Sequence, residues 1–105
     1  MKVEWELEGY RLDEIPAIAR KTEAVGCHGV LSSETAHEPF FPLLLAAEHS
    51  ERLSLGTGVA IAFPRSPIVT ASAAWDLQAL SKGRLLLGLG TQVKGHNVRR
   101  FSVPW

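Results

Sequence analysis

Two side chains able to carry a proton, Glu34 and His37, stand in one short polar segment, Glu34 to Pro39, between a small apolar run and a helix-like one. An imidazole changes charge near neutral pH, and a carboxylate close to it can act as acid, base or orienting group. A second set of candidates is backbone: Gly58, Gly88 and Gly90 lie near the ends of strand-like runs, where a missing Cβ permits a turn or a close approach of main chain. The run Gly88-Leu89-Gly90 is no dinucleotide fingerprint, because position 93 is Val93 and the run follows the last strand–helix unit. The histidines His28, His37, His49 and His96 form no ligand spacing with Glu34, Glu38 or Glu48, so no metal site is expected. Cys27 is the single cysteine, which excludes an internal disulfide and a cysteine zinc cage. Arg65 is the best placed phosphate candidate, ahead of Arg99-Arg100.

Such residues act only if regular elements hold them. Val3, Trp5 and Leu7 alternate as a strand does. Asp13 is the expected N-cap of a helix carrying Pro16 in its first turn, with Ile15, Ile18, Ala19, Thr22 and Val25 on one face and Gly26 as the stop. Val30-Leu31 is a short strand, and Phe40 to Ser50 a helix with Pro42 near its start. Leu53 to Ala62 is strand-like, and Gly56 and Gly58 within it mark a bulge or close approach. Ser66-Pro67 starts a third helix, with Ile68, Ala71, Trp75 and Ala79 expected as its buried stripe. Leu85 to Leu89 reads as a strand covered on both faces, and the tail from Thr91 to Trp105 shows no period. Strands alternating with helices over short connections predict a parallel sheet in the order of the chain, with right-handed crossovers.

Composition bounds the function. The 105 residues carry 11 basic and 11 acidic side chains, 46% of them are hydrophobic and 21% charged. That balance suits one globular domain and offers no general attraction to nucleic acid. The longest nearly apolar run, Phe40 to Ala47, contains Pro42 and falls far short of the roughly 18 residues of a membrane span. No apolar leader precedes the first strand, so the chain reads as cytoplasmic.

Several runs together resemble the bacterial-luciferase-like monooxygenase family, and within it the deazaflavin (coenzyme F-420) dependent oxidoreductases. They are Gly29-Val30 entering Ser33-Glu34, His37-Glu38-Pro39-Phe40 leading to Leu43-Leu44-Leu45-Ala46-Ala47-Glu48-His49, and Glu51-Arg52-Leu53-Ser54-Leu55-Gly56-Thr57-Gly58-Val59. Phe63-Pro64-Arg65-Ser66-Pro67, Trp75-Asp76-Leu77-Gln78-Ala79-Leu80-Ser81, Gly83-Arg84 and Leu87-Gly88-Leu89-Gly90 continue the likeness in order. The resemblance implies that residues 1–105 are the N-terminal part of a luciferase-like TIM-barrel domain. The fold would be α/β, a partial (β/α)8 barrel of about four parallel strands and three helices, since a whole barrel takes about 250 residues.

The same resemblance implies hydride transfer between coenzyme F-420 or FMN and a small organic substrate. Gly58, Val59, Gly88, Gly90 and Thr91 would touch the cofactor, with a bulge and a non-proline cis peptide at Gly58-Val59, and His37 and Glu34 would be catalytic. Where sugar-phosphate members carry aspartate-histidine this chain has Glu34-Thr35, and where they carry an acid after the fourth strand it has Val93, which leaves the substrate open. The rival expectation is a non-catalytic half-barrel that self-associates, as a homo-oligomer, through the exposed edges of its first and fourth strands.

Overall fold

A computed structural model describes all of residues 1–105. The order is β1 (Glu4–Glu6), a 3-10 turn (Leu12–Glu14), α1 (Ile15–Ala24), β2 (Gly29–Ser32), α2 (Phe40–Glu48), β3 (Ser54–Thr57), β4 (Ala60–Ile61), α3 (Pro67–Leu80), β5 (Leu85–Leu86), β6 (Leu89–Gly90) and α4 (Lys94–Arg100). β1, β2, β3 and β5 form one parallel sheet in that order, and β4 and β6 form a parallel pair. β3 and β4 are thus one chain direction interrupted at Gly58-Val59, as β5 and β6 are at Leu87-Gly88. The parallel layout and the interruption of the third strand agree with the sequence expectation, and the Gly58-Val59 peptide is cis.

The register decides which side chains meet the helices. Trp5, Val30, Leu55 and Leu85 share one rung, and the last three are buried with Ile15, Ala19, Leu43, Ala46 and Leu77 in a single core. Glu6, Leu31, Gly56 and Leu86 share the next rung and so point to the other, helix-free face. Leu86 is 61% exposed there. The reading of Leu85 to Leu89 as covered on both faces therefore holds for one face of these 105 residues, because nothing in them packs on the other.

Three local expectations are corrected. Asp13 does not cap α1: it lies inside the 3-10 turn, paired with Arg11, while the Glu14 carboxylate accepts the Arg11 N–H. α3 starts at Ser66-Pro67 as expected, with the Ser66 hydroxyl accepting from Val69 N–H. Its buried face, however, is Thr70 and Leu77, while Ile68 and Trp75 are 72% and 78% exposed. α3 is apolar on both sides, and the side with small residues (Ala73, Ala74) fits closer against the core. The tail also forms a fourth helix, α4, whose one buried residue is the polar Asn97, so no hydrophobic period announced it.

The end of the sheet where strands begin is held by two polar staples. Arg84 donates to Ser81 O, Ser50 Oγ, Leu53 O, Ala47 O and Ser50 O at 2.7–3.2 Å. One guanidinium thereby ties the C-terminal carbonyls of α2 and the end of α3 to the start of β3. Glu23, at the end of α1, accepts the backbone N–H groups of Glu51, Arg52 and Leu53 at 2.7–3.1 Å. Burial pushes the Glu23 carboxyl up, but the bonds from Arg52 and Glu51, the Arg52 charge and the bond from Leu53 outweigh it and hold it below its ordinary 4.5.

Arg84→Met strips several charge-assisted bonds from buried carbonyls and is expected to lower unfolding free energy by about 2–4 kcal/mol in urea titration. A depressed folded-state pKa stabilises above the unfolded value and loses that contribution as pH falls through the folded one. The stability gap between wild type and Glu23→Gln should therefore be widest near pH 7 and shrink as the pH drops below about 4.5.

Candidate functional site

At the opposite end, where strands finish, the segment after β2 grips the bulge after β3. Gly58 N–H donates to Ser32 O at 2.9 Å, and Ser33 Oγ donates to Gly58 O at 2.8 Å. Glu34 N–H donates to Val59 O at 3.1 Å. The Glu34 carboxylate then accepts Ile61 N–H at 2.8 Å. From the other side, Ala60 N–H donates to Gly88 O at 2.9 Å. Of the amides from Gly58 to Ile61, only that of Val59 has no acceptor within the chain. Val59 is also 40% exposed.

Glu34 reaches inward because Ser32 and Glu34 share the buried side of the strand's continuation, and it is only 7% exposed. Its second oxygen accepts from Arg65 Nη2 at 2.8 Å. The same nitrogen donates to Glu38 Oε2 at 2.9 Å, and Glu38 Oε1 accepts Phe40 N–H at the start of α2. The Arg65 guanidinium lies 5.3 Å from the Phe40 ring centroid, a cation–π contact. Burial draws the Arg65 pKa down, but the bonds and charges of Glu38 and Glu34 raise it further than burial lowers it. Each oxygen of Glu34 thus accepts one hydrogen bond within the chain.

His37 differs in every respect. It is exposed and makes no hydrogen bond within the chain. It lines a groove of about 560 Å³ with Tyr10, Arg11, Asp13, Glu38 and Phe41, and a second one with Glu34, Pro64, Arg65 and Arg100. An imidazole so placed is free to exchange a proton with a bound molecule.

The fourth strand meets the bulge through Thr57. Its Oγ1 donates to Gly88 O at 2.7 Å and accepts Gly88 N–H at 2.8 Å, replacing the ladder where β3 and β5 part. A Cβ on Gly88 would sit 2.2 Å from Thr57 O, and one on Gly90 2.6 Å from Val59 Cγ2. These two glycines are thus required by the approach of the third strand, whereas a Cβ on Gly58 would meet only Leu31 at 3.6 Å. Thr91 is exposed just beyond β6, and its carbonyl accepts from Asn97 Nδ2 at 2.8 Å. Asn97 Nδ2 also donates to Val93 O at 3.2 Å, and the side chain is fully buried.

The structure therefore gathers Gly58, Val59, Gly88, Gly90 and Glu34 around one interruption, sets Thr91 on the same strand ends, and leaves His37 on the neighbouring loop. Sequence reasoning missed Asn97 and the pairing of Arg65 with Glu34 and Glu38. Arg65 stood out only as a charge, and nothing local tells a salt-bridged arginine from a phosphate ligand.

The model for luciferase-like monooxygenases matches residues 3–105. A protein of unassigned role from Mycobacterium tuberculosis is 57% identical over 83 residues, which is 79% of this chain and 24% of that protein. The F420-dependent glucose-6-phosphate dehydrogenase of Intrasporangium calvum is 47% identical over 58 residues, 52% of this chain and 17% of that one. Among solved structures, the oxygenating constituent of 3,6-diketocamphane monooxygenase from Pseudomonas putida, in complex with FMN, gives a TM-score of 0.83 at 17% identity and covers 99% of this chain and 33% of that one. The coenzyme F420 dependent tetrahydromethanopterin reductase from Methanopyrus kandleri gives 0.83 at 23% identity, covering 99% and 30%. The chain spans about a quarter of the length of its mycobacterial relative, and its four-stranded sheet is part of a (β/α)8 barrel fold. No helix is long and apolar enough to cross a membrane.

Gly88→Ala must push the fourth strand off Thr57 and is expected to cost about 1–3 kcal/mol in a denaturant titration. Gly58→Ala, with an ordinary contact in prospect, should cost less.

Proposed function

The chain belongs to the luciferase-like monooxygenase family, and on that premise we propose that it supplies the cofactor-facing wall of an oxidoreductase moving hydride between coenzyme F-420 or FMN and a small organic substrate. The observation that carries this reading is the Val59 amide. It is the one donor without a partner in a bulge whose neighbouring polar groups are all held.

The residues present fit a flat, partly polar ring. Val59 offers a free N–H and an exposed apolar side chain. Gly58 and Gly88 keep the backbone around it low, and Thr91 presents a hydroxyl beyond the next strand. A bound deazaflavin or flavin supplies a ring carbon or nitrogen that takes up and gives back hydride. The protein's share is to bind, orient and move protons. In this reading His37 takes up or releases the proton that accompanies hydride transfer, and Glu34 orients the wall, because both its oxygens are already bonded.

A second reading has its own observation. Leu86 and Leu89 at the strand ends and Ile68 and Trp75 on the outer side of α3 are all more than half exposed. This exposure favours self-association of these 105 residues, through the outer edges of β1 and β5 or across these faces, without catalysis. Titrating the chain with FMN and with coenzyme F-420, followed by fluorescence, separates the two when combined with light scattering on the same samples. The proposed function expects saturable binding of one of them, weakened by Val59→Pro, which removes the free N–H. Absence of saturable binding by either cofactor, at every oligomeric state reached, defeats it.

A further inference from the structure

The proposed wall is built on a backbone segment, Gly58 to Ile61, with Ser33 Oγ on its Gly58 carbonyl and the buried carboxylate of Glu34 on its far end at Ile61 N–H. A carboxylate excluded from water is tolerable only when its charge is balanced and its lone pairs are used. The Ile61 N–H serves one oxygen and Arg65 the other. Arg65 is itself held at three points. Its Nη2 is shared between Glu34 and Glu38, its guanidinium rests against Phe40, and its backbone N–H donates to Ala62 O at 3.3 Å. Glu38 in turn is fastened to the start of α2.

We infer that Arg65 is a positioning residue for the cofactor wall, acting through Glu34 on the Gly58–Ile61 segment, an inference that rests on the function proposed above. Without its cation, Glu34 would be a buried anion with one neutral donor, relieved by taking up a proton or, at pH values where it stays charged, by rotating toward solvent. That rotation releases Ile61 N–H and with it the only side-chain tie on the outer half of the bulge. The ties through Ser32 and Ser33 and the Glu34 amide would remain, so the segment loosens without the domain unfolding. The Arg65 Nη2 donor is thus occupied by two carboxylates of its own chain, its Nε is buried without a partner, and its side chain is 20% exposed.

Both ion pairs run through a single nitrogen, Nη2. A lysine ammonium keeps the charge beside Glu34 and Glu38 but loses the planar contact with Phe40, so Arg65→Lys should recover part of what Arg65→Met loses. A residue whose contribution were only bulk packing would show no such rescue.

The test uses the 105-residue chain as wild type, R65M, R65K and R84M, the last loosening the far end of the sheet. Hydrogen exchange of the Ile61 amide is measured relative to the α1 amides of the same protein, and FMN and coenzyme F-420 are titrated in parallel. The expected result is an increase of about tenfold or more in relative Ile61 exchange in R65M, the scale of losing one charge-assisted buried bond. R65K should fall between wild type and R65M, R84M should leave the ratio unchanged, and R65M should bind the cofactor about tenfold more weakly. Unchanged Ile61 exchange in R65M overturns the inference, as does an equal rise in R84M. Loosened Ile61 with undiminished cofactor affinity overturns the link to the wall. A wild type that binds neither cofactor while R65M still frees Ile61 leaves the positioning role standing and fails the proposed function alone.

Discussion

A single buried anion organises the end of the sheet where strands finish. The Glu34 carboxylate has left water, and its compensation draws together parts of the chain that no local preference would unite: the end of β2, the backbone of β4, the loop before α3 and the start of α2. Its own amide holds the Val59 carbonyl. Both polar ends of one residue thus bear on the same bulge, and the bulge takes its place from them as much as from the sheet. The interruption of the third strand is tolerated because Ser32, Ser33, Glu34 and Thr57 supply the bonds that a continuous ladder would have made.

The two ends of the sheet use different chemistry for similar tasks. Where strands begin, Glu23 collects three backbone N–H groups and Arg84 satisfies backbone carbonyls and a hydroxyl. Each charge is answered mainly by neutral groups, and each closes helix or turn termini that would otherwise be unpaired. Where strands finish, the charges are set against one another, two carboxylates on one guanidinium, with Val59 N–H left open beside them. In barrels of this kind the first end answers for stability and the second for chemistry, and the distribution of polar groups here follows that division.

The helices divide likewise. α1 buries Ile15, Ala19 and Thr22 and turns Arg20 outward. α3 buries Thr70 and Leu77 and turns Ile68 and Trp75 outward. With apolar residues on both sides, periodicity alone could not say which side of α3 meets the sheet. The choice falls to size: Ala73 and Ala74 allow the helix to sit close over the core, where the indole of Trp75 would hold it away.

The sequence by itself determined the succession of elements, the parallel order of strands, the helix start at Ser66-Pro67 and an irregularity of the third strand at Gly56 and Gly58. Each of these rests on residues next to one another in the chain, whose periodicity, caps and glycines act over a few positions. It also singled out Glu34, His37, Gly88 and Gly90 as residues of consequence. Only the tertiary structure decided what surrounds them. Gly88 and Gly90 are glycines because Thr57 O and Val59 Cγ2 lie where their Cβ atoms would be. Arg65 is spoken for by two carboxylates more than two dozen positions away. Asn97 is buried in a helix with no apolar period, holding the Thr91 and Val93 carbonyls. The physical reason is common to all three. A hydrogen bond or a steric limit between distant residues leaves no mark on the spacing of either partner, and it exists only once the strands have been brought side by side.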